Sequence, residues 1–214
     1  MNDPFNTAIT WLDEPLLGDA AGPLAGRTLL VKDLIDTAGI RTTYGSRIYS
    51  DHVPTAHATV VQRALDAGAV VVGKANLPEF AWGVLGVNPW YGAVHNPLHP
   101  GKTTGGSSAG NAAALAAGLV DLGLGTDTGC SIRLPSAACG TVGLKPRWGH
   151  LPLDGVFPLV PTLDTVGPMG RSVQDVRHWP NPEAVLRGWL LAHPLRVSDA
   201  DDGVTRRSQR PGEF

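Results

Sequence analysis

The sequence contains little cysteine, no excess of either charge and no long apolar run. Only two of its 214 residues are cysteines, which excludes a disulfide framework and favours a cytoplasmic location. Seventeen basic residues stand against 19 acidic ones, and the net charge of −2 predicts no direct contact with nucleic acid and no membrane-binding surface. No apolar stretch approaches the roughly 18 residues of a transmembrane helix, and the N-terminal segment does not resemble a signal peptide.

Apolar segments alternate with loops that are rich in glycine and proline. Apolar residues make up 43% of the chain, while 27 glycines and 18 prolines cluster between the apolar segments. Strands are predicted at 27–33 and 69–72, with a helix at 58–67 between them, and this order favours an α/β fold. Further along, the sequence predicts a short helix at 77–82, a loop at 83–106, an Ala-rich helix at 108–119, a strand at 121–125, a turn at 126–129, a helix at 131–138, loops and short strands at 140–170, and a helix beginning at 172.

Three short motifs resemble binding sites but lack the residues or the context that those sites need. Residues 101–103 (GKT) end like a phosphate-binding loop, but Asn96 replaces the first glycine of that motif. The glycines within 123–129 are one residue too widely spaced for a dinucleotide fingerprint. His95 and His99 have the spacing of metal ligands, but a proline lies between them. We therefore expect no cofactor and no metal site.

A fourth motif, G-x-S-x-G at 106–110, matches the nucleophile elbow of α/β-hydrolases and would make Ser108 the nucleophile. That elbow follows a β-strand, whereas the residues before this motif predict a loop. Its histidine would have to come from downstream, where His150, His178 and His193 lie in no convincing context. The elbow is therefore a minor alternative.

A longer stretch, residues 104–145, carries several motifs in order. It reads TGGSSAGNAAALAAGLVDLGLGTDTGCSIRLPSAACGTVGLK. This stretch resembles the amidase signature family, whose motifs are a GGSS(G/A)G loop, an Ala/Gly-rich helix, GTD-x-x-GSIR-x-P and GLKP. Further segments agree with the family: LVKD at 30–33, GKANLPEF at 73–80 and DTVGPM at 164–169. The resemblance covers roughly residues 24–176 and implies a mixed β-sheet covered by α-helices.

By this resemblance, three residues form a Ser–cisSer–Lys catalytic triad. Ser131 is the acylated nucleophile, Ser107 relays protons after a cis peptide bond with Gly106, and Lys32 is the base. A serine is a weak nucleophile until a base accepts its proton. Lys32 must be neutral to accept one, and burial at the end of a strand would lower its pKa from ~10.4 towards neutrality. The expected reaction is hydrolysis of a carboxylic amide through an acyl-enzyme.

The turn before Ser131 is the predicted oxyanion hole. Where a glycine-containing turn enters a helix, free backbone N–H groups converge and can stabilise a developing negative charge. Thr128, Gly129 and Cys130 are the residues expected to provide them. The family often has glycine in place of Cys130, so a cysteine there would be strained if the backbone had a positive φ.

Other residues are expected to support the site rather than to react. By resemblance, Asp127 and Arg133 flank the nucleophile and orient its loop. Ser108 is expected to hydrogen-bond within the site or to cap its helix, and Lys74 belongs to a structural element. Cys139 is expected to be a small buried apolar residue.

The chain departs from the family most in its length. The match fades after Val176, so we predict an incomplete amidase signature domain at 1–176 and an atypical tail at 177–214. The tail has six arginines and no lysine, and it contains one predicted helix at 183–192. Our hypothesis is a truncated or frameshifted amidase whose uncovered apolar faces would favour a homodimer or a partner subunit.

Three functions remain open at this point. The first is an amidase that acts on a small-molecule amide. The second is the glutaminase (A) subunit of an Asp/Glu-tRNA amidotransferase, which belongs to the same family and would pass ammonia to partner subunits. The third is a truncated, non-catalytic remnant. The substrate is not specified, because the residues that form the acyl pocket are expected in the missing half of the fold.

Overall fold

The computed structural model describes residues 2–177 and 179. Eight strands occur in the described residues: β1 Ala8–Leu16, β2 Thr28–Lys32, β3 Val70–Ala75, β4 Val87–Asn88, β5 Gly92–Ala93, β6 Leu122–Asp127, β7 Val142–Gly143 and β8 Thr165–Gly170. Four α-helices accompany them: α1 Thr59–Asp66, α2 Ala109–Ala116, α3 Arg133–Ala138 and α4 Val173–Arg177. Single 3₁₀ turns lie at Arg47–Tyr49 and Glu79–Ala81.

Six of these strands form one mixed sheet in the order β1–β3–β2–β6–β8–β7. The central strands β3, β2 and β6 are parallel, whereas the outer pairs β1–β3, β6–β8 and β8–β7 are antiparallel. The predicted α/β class, with a mixed sheet and helices, is confirmed. Because β2 and β6 are parallel neighbours, with Val31 opposite Leu124, the residues that follow both strands meet at one edge of the sheet.

Alternate residues of β2 lie on opposite faces of the sheet. Leu29 and Val31 belong to the larger apolar core, which includes α1, whereas Leu30 belongs to a second core that includes α2. Lys32 comes two residues after Leu30 and therefore lies on the α2 face.

Helix α2 lies close to the sheet because small residues form most of it. Its first seven residues are all buried. A Cβ atom added to Gly110 would lie only 2.1 Å from the carbonyl oxygen of Thr7 and 2.6 Å from the backbone nitrogen of Asn76. This packing brings the start of α2, with Ser107 before it, against the carboxyl ends of the parallel strands.

The predicted elements are largely present, with three informative differences. Residues 126–127 continue β6 instead of forming a turn, because they pair with β8. The sequence predicts only loops and short strands around β8, since TVGPMG contains two glycines and a proline. It does not predict β1, an outer strand of the sheet with two acidic residues and a proline. A hairpin of β4 and β5 lies within the predicted loop, and the predicted helix at 183–192 lies outside the described residues.

The C-terminal end of the described region packs against the sheet. Val176 and Trp179 are buried, and Trp179 belongs to the larger apolar core. Asp175 of α4 forms an ion pair with Arg27 beside β2. None of the helices in the described part of the chain has the length and hydropathy needed to cross a lipid bilayer.

Candidate active site

Lys32 is fully buried at the end of β2, and its side-chain nitrogen contacts two hydroxyl groups. Its Nζ lies 2.7 Å from Ser107 Oγ and 2.7 Å from Thr126 Oγ1. Burial lowers the pKa of Lys32 from 10.5 to about 7, although the carboxylates of Asp127 and Asp164 oppose that change. A substantial fraction of such a lysine is neutral near pH 7 and can accept a proton from a neighbouring hydroxyl.

Ser107 links this lysine to the segment that contains Ser131. It is fully buried, and the peptide bond between Gly106 and Ser107 is cis. The next residue bonds to the predicted nucleophile, since the N–H of Ser108 donates to the carbonyl oxygen of Ser131 at 3.0 Å. The structure therefore brings the three predicted triad residues together: Lys32 contacts Ser107 directly, and a backbone bond joins the two serine segments.

The hydroxyl of Ser108 is occupied by strand β6. Ser108 Oγ donates to the carbonyl oxygen of Thr126 at 3.2 Å and accepts from the Thr126 N–H at 3.3 Å. Ser108 thus bonds within the site and provides no side-chain cap for α2. No histidine in the described residues bonds to it, and His178 and His193 lie outside those residues. This environment does not favour the nucleophile elbow.

The turn between β6 and α3 has a run of unused backbone donors. Within the described part of the chain, the N–H groups of residues 128–131 donate no hydrogen bond. Gly129 is exposed, and Ser131 at the end of the run is 7% exposed. The predicted oxyanion-hole residues, Thr128, Gly129 and Cys130, therefore have donors available to a developing negative charge.

Asp127 and Arg133 hold this turn at both ends. The buried carboxylate of Asp127 accepts from the N–H of Ile132 at 3.0 Å, and from Nε and Nη2 of Arg133 at 3.1 and 3.0 Å. Arg133 Nη2 also donates to the carbonyl oxygen of Gly129 at 2.5 Å. Burial alone would raise the pKa of Asp127, but the bonds from Arg133 and Ile132 outweigh it and lower that pKa. Asp127 therefore stays ionised, as an orienting role requires.

Neither cysteine is strained by a left-handed backbone. The non-glycine residues with positive φ in the described region are Asn6, Tyr44, Phe80 and Ala81. Cys130 is not among them, so the conditional strain at that residue does not arise. Cys139 is buried and bonds through its thiol to the carbonyl oxygen of Thr104, and burial raises its thiol pKa to about 11.

Lys74 is the second fully buried lysine, but it lies on the other face of the sheet. It pairs in register with Val31, and its Nζ donates to the carbonyl oxygen of Ile35 at 2.6 Å and to Thr42 Oγ1 at 2.7 Å. Burial lowers its pKa to about 8, against the attraction of Asp33, whose Oδ1 lies 3.6 Å away. These contacts tie the loop after β2 to β3, in agreement with a structural role.

Two residues of the site have no role in the sequence interpretation. Thr126 falls in the predicted turn, yet the longer β6 places its hydroxyl on Lys32. Asp164 lies just before β8, and its Oδ1 accepts a hydrogen bond from Thr128 Oγ1 at 2.5 Å. The DTVGPM motif contains Asp164, but only the pairing of β6 with β8 shows what it contacts.

The rejected binding motifs lie apart from this cluster, in the loop between β5 and α2. Asn96 shapes that loop, since its Oδ1 accepts from the N–H groups of Leu98 and His99. Lys102 is exposed there. The described residues contain no group of three or more His, Cys, Asp or Glu side chains that could hold a metal ion.

The chain matches the Amidase family model over residues 6–179 and therefore belongs to that family. Among its relatives is the A-type subunit of the glutamyl-tRNA(Gln) amidotransferase of Haloarcula marismortui. That protein is 49% identical over 170 residues, which are 79% of this chain and 40% of the relative.

Solved structures of similar proteins lead to the same family. The corresponding amidotransferase protein of Thermotoga maritima, also of the A type for glutamyl-tRNA(Gln), has a TM-score of 0.76 and 36% identity, over 80% of this chain and 38% of that one. The peptide amidase of Stenotrophomonas maltophilia has a TM-score of 0.72 and 37% identity, again over 80% of this chain and 38% of that one. The chain spans about two fifths of the length of the curated relatives it matches.

Proposed function

We propose that this chain is an amidase, which hydrolyses a small carboxylic amide to an acid and ammonia or an amine. The observation that carries the proposal is the 2.7 Å contact between the buried amine of Lys32 and the hydroxyl of Ser107. A lysine that is half neutral near pH 7 is the base that a serine nucleophile requires. Membership of the amidase family supports the same reaction.

In the proposed acylation step, a proton moves from Ser131 to Ser107 and from Ser107 to Lys32. The freed Ser131 oxygen adds to the amide carbon, and the negative charge on the former carbonyl oxygen faces the N–H groups of residues 128–131. When the intermediate collapses, the C–N bond breaks and Ser107 returns a proton to the leaving amine. Water then hydrolyses the acyl-enzyme through the same relay and restores Ser131.

The second candidate is a glutaminase (A) subunit of a tRNA-dependent amidotransferase. Amidotransferase proteins of that kind, 49% and 47% identical to this chain, favour it. The same site would then release ammonia for a partner subunit, and this chain itself would not bind tRNA. Co-purification with a larger partner that binds tRNA would distinguish it from a free-standing amidase.

The third candidate, a non-catalytic remnant, rests on the short span of the chain relative to its relatives. We take residues 1–176 as the amidase portion and residues 177–214 as a tail outside it. Within this proposal the protein is cytoplasmic, forms a homodimer or binds amidotransferase subunits, and needs no cofactor. The remnant differs from both enzymes in one measurable property, because it forms no acyl-enzyme.

Covalent labelling tests the proposal without knowledge of the substrate. The full chain is incubated with a fluorophosphonate, and the labelled residue is located by peptide mass spectrometry. We expect one label on Ser131, none on a Ser131→Ala variant, and at least ~10²-fold slower labelling of Lys32→Ala, because the base is lost.

Each other result has a definite meaning. Label on Ser108 would support the nucleophile elbow instead. No label on a chain that circular dichroism shows to be folded would support the remnant.

A further inference from the structure

Asp164 lies directly across the sheet from the start of the 128–131 turn. Strands β6 and β8 are antiparallel, with Asp127 opposite Thr165, so the residues just beyond this pair are also neighbours. Side-chain bonds join them: Asp164 Oδ1 accepts from Thr128 Oγ1 at 2.5 Å, and Thr165 Oγ1 donates to the carbonyl oxygen of Asp127 at 2.6 Å.

The carboxylate of Asp164 is itself held by fixed donors. It is 7% exposed, and its Oδ2 accepts from the backbone N–H groups of Leu159 and Val160, each at 2.9 Å. The N–H of Asp164 returns a bond to the carbonyl oxygen of Val160 at 2.9 Å. Because these bonds fix the carboxylate, Oδ1 meets the Thr128 hydroxyl at a defined place.

The turn is thus braced from two sides. Asp127 and Arg133 bond to Gly129, Ile132 and the start of α3, but they leave the side chain of Thr128 to another partner. Within the described residues, the only side-chain partner of the Thr128 hydroxyl is Asp164.

We propose that Asp164 is a positioning residue for the reaction at Ser131, an inference that rests on the proposed function. Through the Thr128 hydroxyl, its carboxylate fixes the start of the turn and so the direction of the N–H groups that receive the oxyanion. Such donors stabilise a transition state only when they are held in the correct geometry before the reaction.

Asp164 also acts on the base through its charge. The groups that face Lys32 are the hydroxyls of Ser107 and Thr126 and the carboxylates of Asp127 and Asp164. Both carboxylates favour the protonated amine, so removal of either should lower the pH at which Lys32 becomes neutral. A residue that merely supported the loop before β8 would not have this effect.

The test measures fluorophosphonate labelling of Ser131 in the full chain at pH values on both sides of 7. Asp164→Asn is expected to lower the high-pH plateau rate, where Lys32 is neutral in every variant, by about tenfold. It should also move the inflection to lower pH. Thr128→Val should lower the plateau without moving the inflection, and the double variant should be no slower than the slower single variant. Asp154→Asn, which removes an exposed carboxylate, should change neither value.

Three results would count against the inference, and they can be told apart. Plateau rates equal to wild type in both Asp164→Asn and Thr128→Val would overturn it, as would a fall in Tm with the plateau and inflection unchanged. If Asp164→Asn does not fold, a normal plateau in Thr128→Val alone would overturn it. A folded wild-type chain that takes no label would refute the proposed function, and this role for Asp164 with it.

Discussion

Lys32 is a residue whose usefulness in catalysis opposes the stability of the fold. Its charged form is disfavoured by complete burial, and the two hydroxyls it contacts carry no charge to compensate. A pKa of about 7 is the result, and it is also the property that a base at neutral pH needs. Lys74, buried beside Asp33, retains a carboxylate partner and has a less depressed pKa of about 8.

We predict that Lys32→Met stabilises the protein at neutral pH. The folded-state pKa of Lys32 lies below its unfolded value of 10.5, so between about pH 7 and 10.5 only the unfolded chain binds this proton. The free energy of unfolding of the wild type therefore rises with pH across that range, and below it the penalty of the buried charge is fully present. Chemical denaturation of both proteins at several pH values measures the difference.

The advantage of the variant should be largest below pH 7 and should shrink as the pH approaches 10.5. Lys74 titrates in both proteins, so its contribution cancels. A variant that is less stable than wild type at neutral pH, or a difference that grows with pH, would contradict the argument.

At the scale of elements, the site depends on how closely α2 approaches the sheet. Alanine and glycine along α2 let its first residues lie against the ends of β2 and β3, and that position sets Ser107 on Lys32. The turn after β6 completes the site from the neighbouring strand.

Gly110→Ala should therefore disturb both the fold and the site. The added methyl group would lie 2.1 Å from the carbonyl oxygen of Thr7, so helix and strand must move apart. We expect a loss of about 1–3 kcal/mol in the free energy of unfolding, by denaturation in urea. Gly129→Ala is the control for stability, because no atom lies within 4 Å of its added Cβ. Equal stability of the two variants would refute close packing of α2.

The site was predictable where local motifs identify it and unpredictable where strand pairing builds it. Lys32, Ser107 and Ser131 lie in recognisable short motifs, so the sequence indicates them individually. Thr126 and Asp164 acquire their contacts only because β6 pairs with β8, which joins residues 36 positions apart in the case of Thr128 and Asp164.

Strand prediction failed for a related physical reason. An interior strand such as β2 is a continuous apolar run, TLLVK with four buried residues, and is easily predicted. The outer strand β1 is half exposed along its length and includes Asp13, Glu14 and Pro15, residues that a strand pattern disfavours. Tertiary pairing with β3 holds it in place.

At the scale of the whole molecule, the described region has a continuous core although it spans about two fifths of the length of its relatives. The larger apolar core runs from Leu24 to Trp179, so it draws on almost the entire described chain. The family match ends at the same residue, 179.

A chain that ends at residue 179 should therefore keep the Tm and the labelling rate of the full chain. A chain that ends at residue 171 should lose stability, because it lacks α4, the Arg27–Asp175 ion pair and the buried Trp179. Thermal melts of the three chains, followed by circular dichroism, make the comparison. A large fall in Tm for the chain ending at 179 would show that residues beyond it belong to the folded unit.

The most direct test of Lys32 as the base is the pH profile of Ser131 labelling in the wild type and in Lys32→Met. We predict that the wild-type rate rises with pH through an inflection near 7, because only neutral Lys32 accepts the proton relayed by Ser107. Lys32→Met should remain folded and take almost no label at any pH. A wild-type rate that does not change across pH 7, or equal labelling of the variant, would contradict that role.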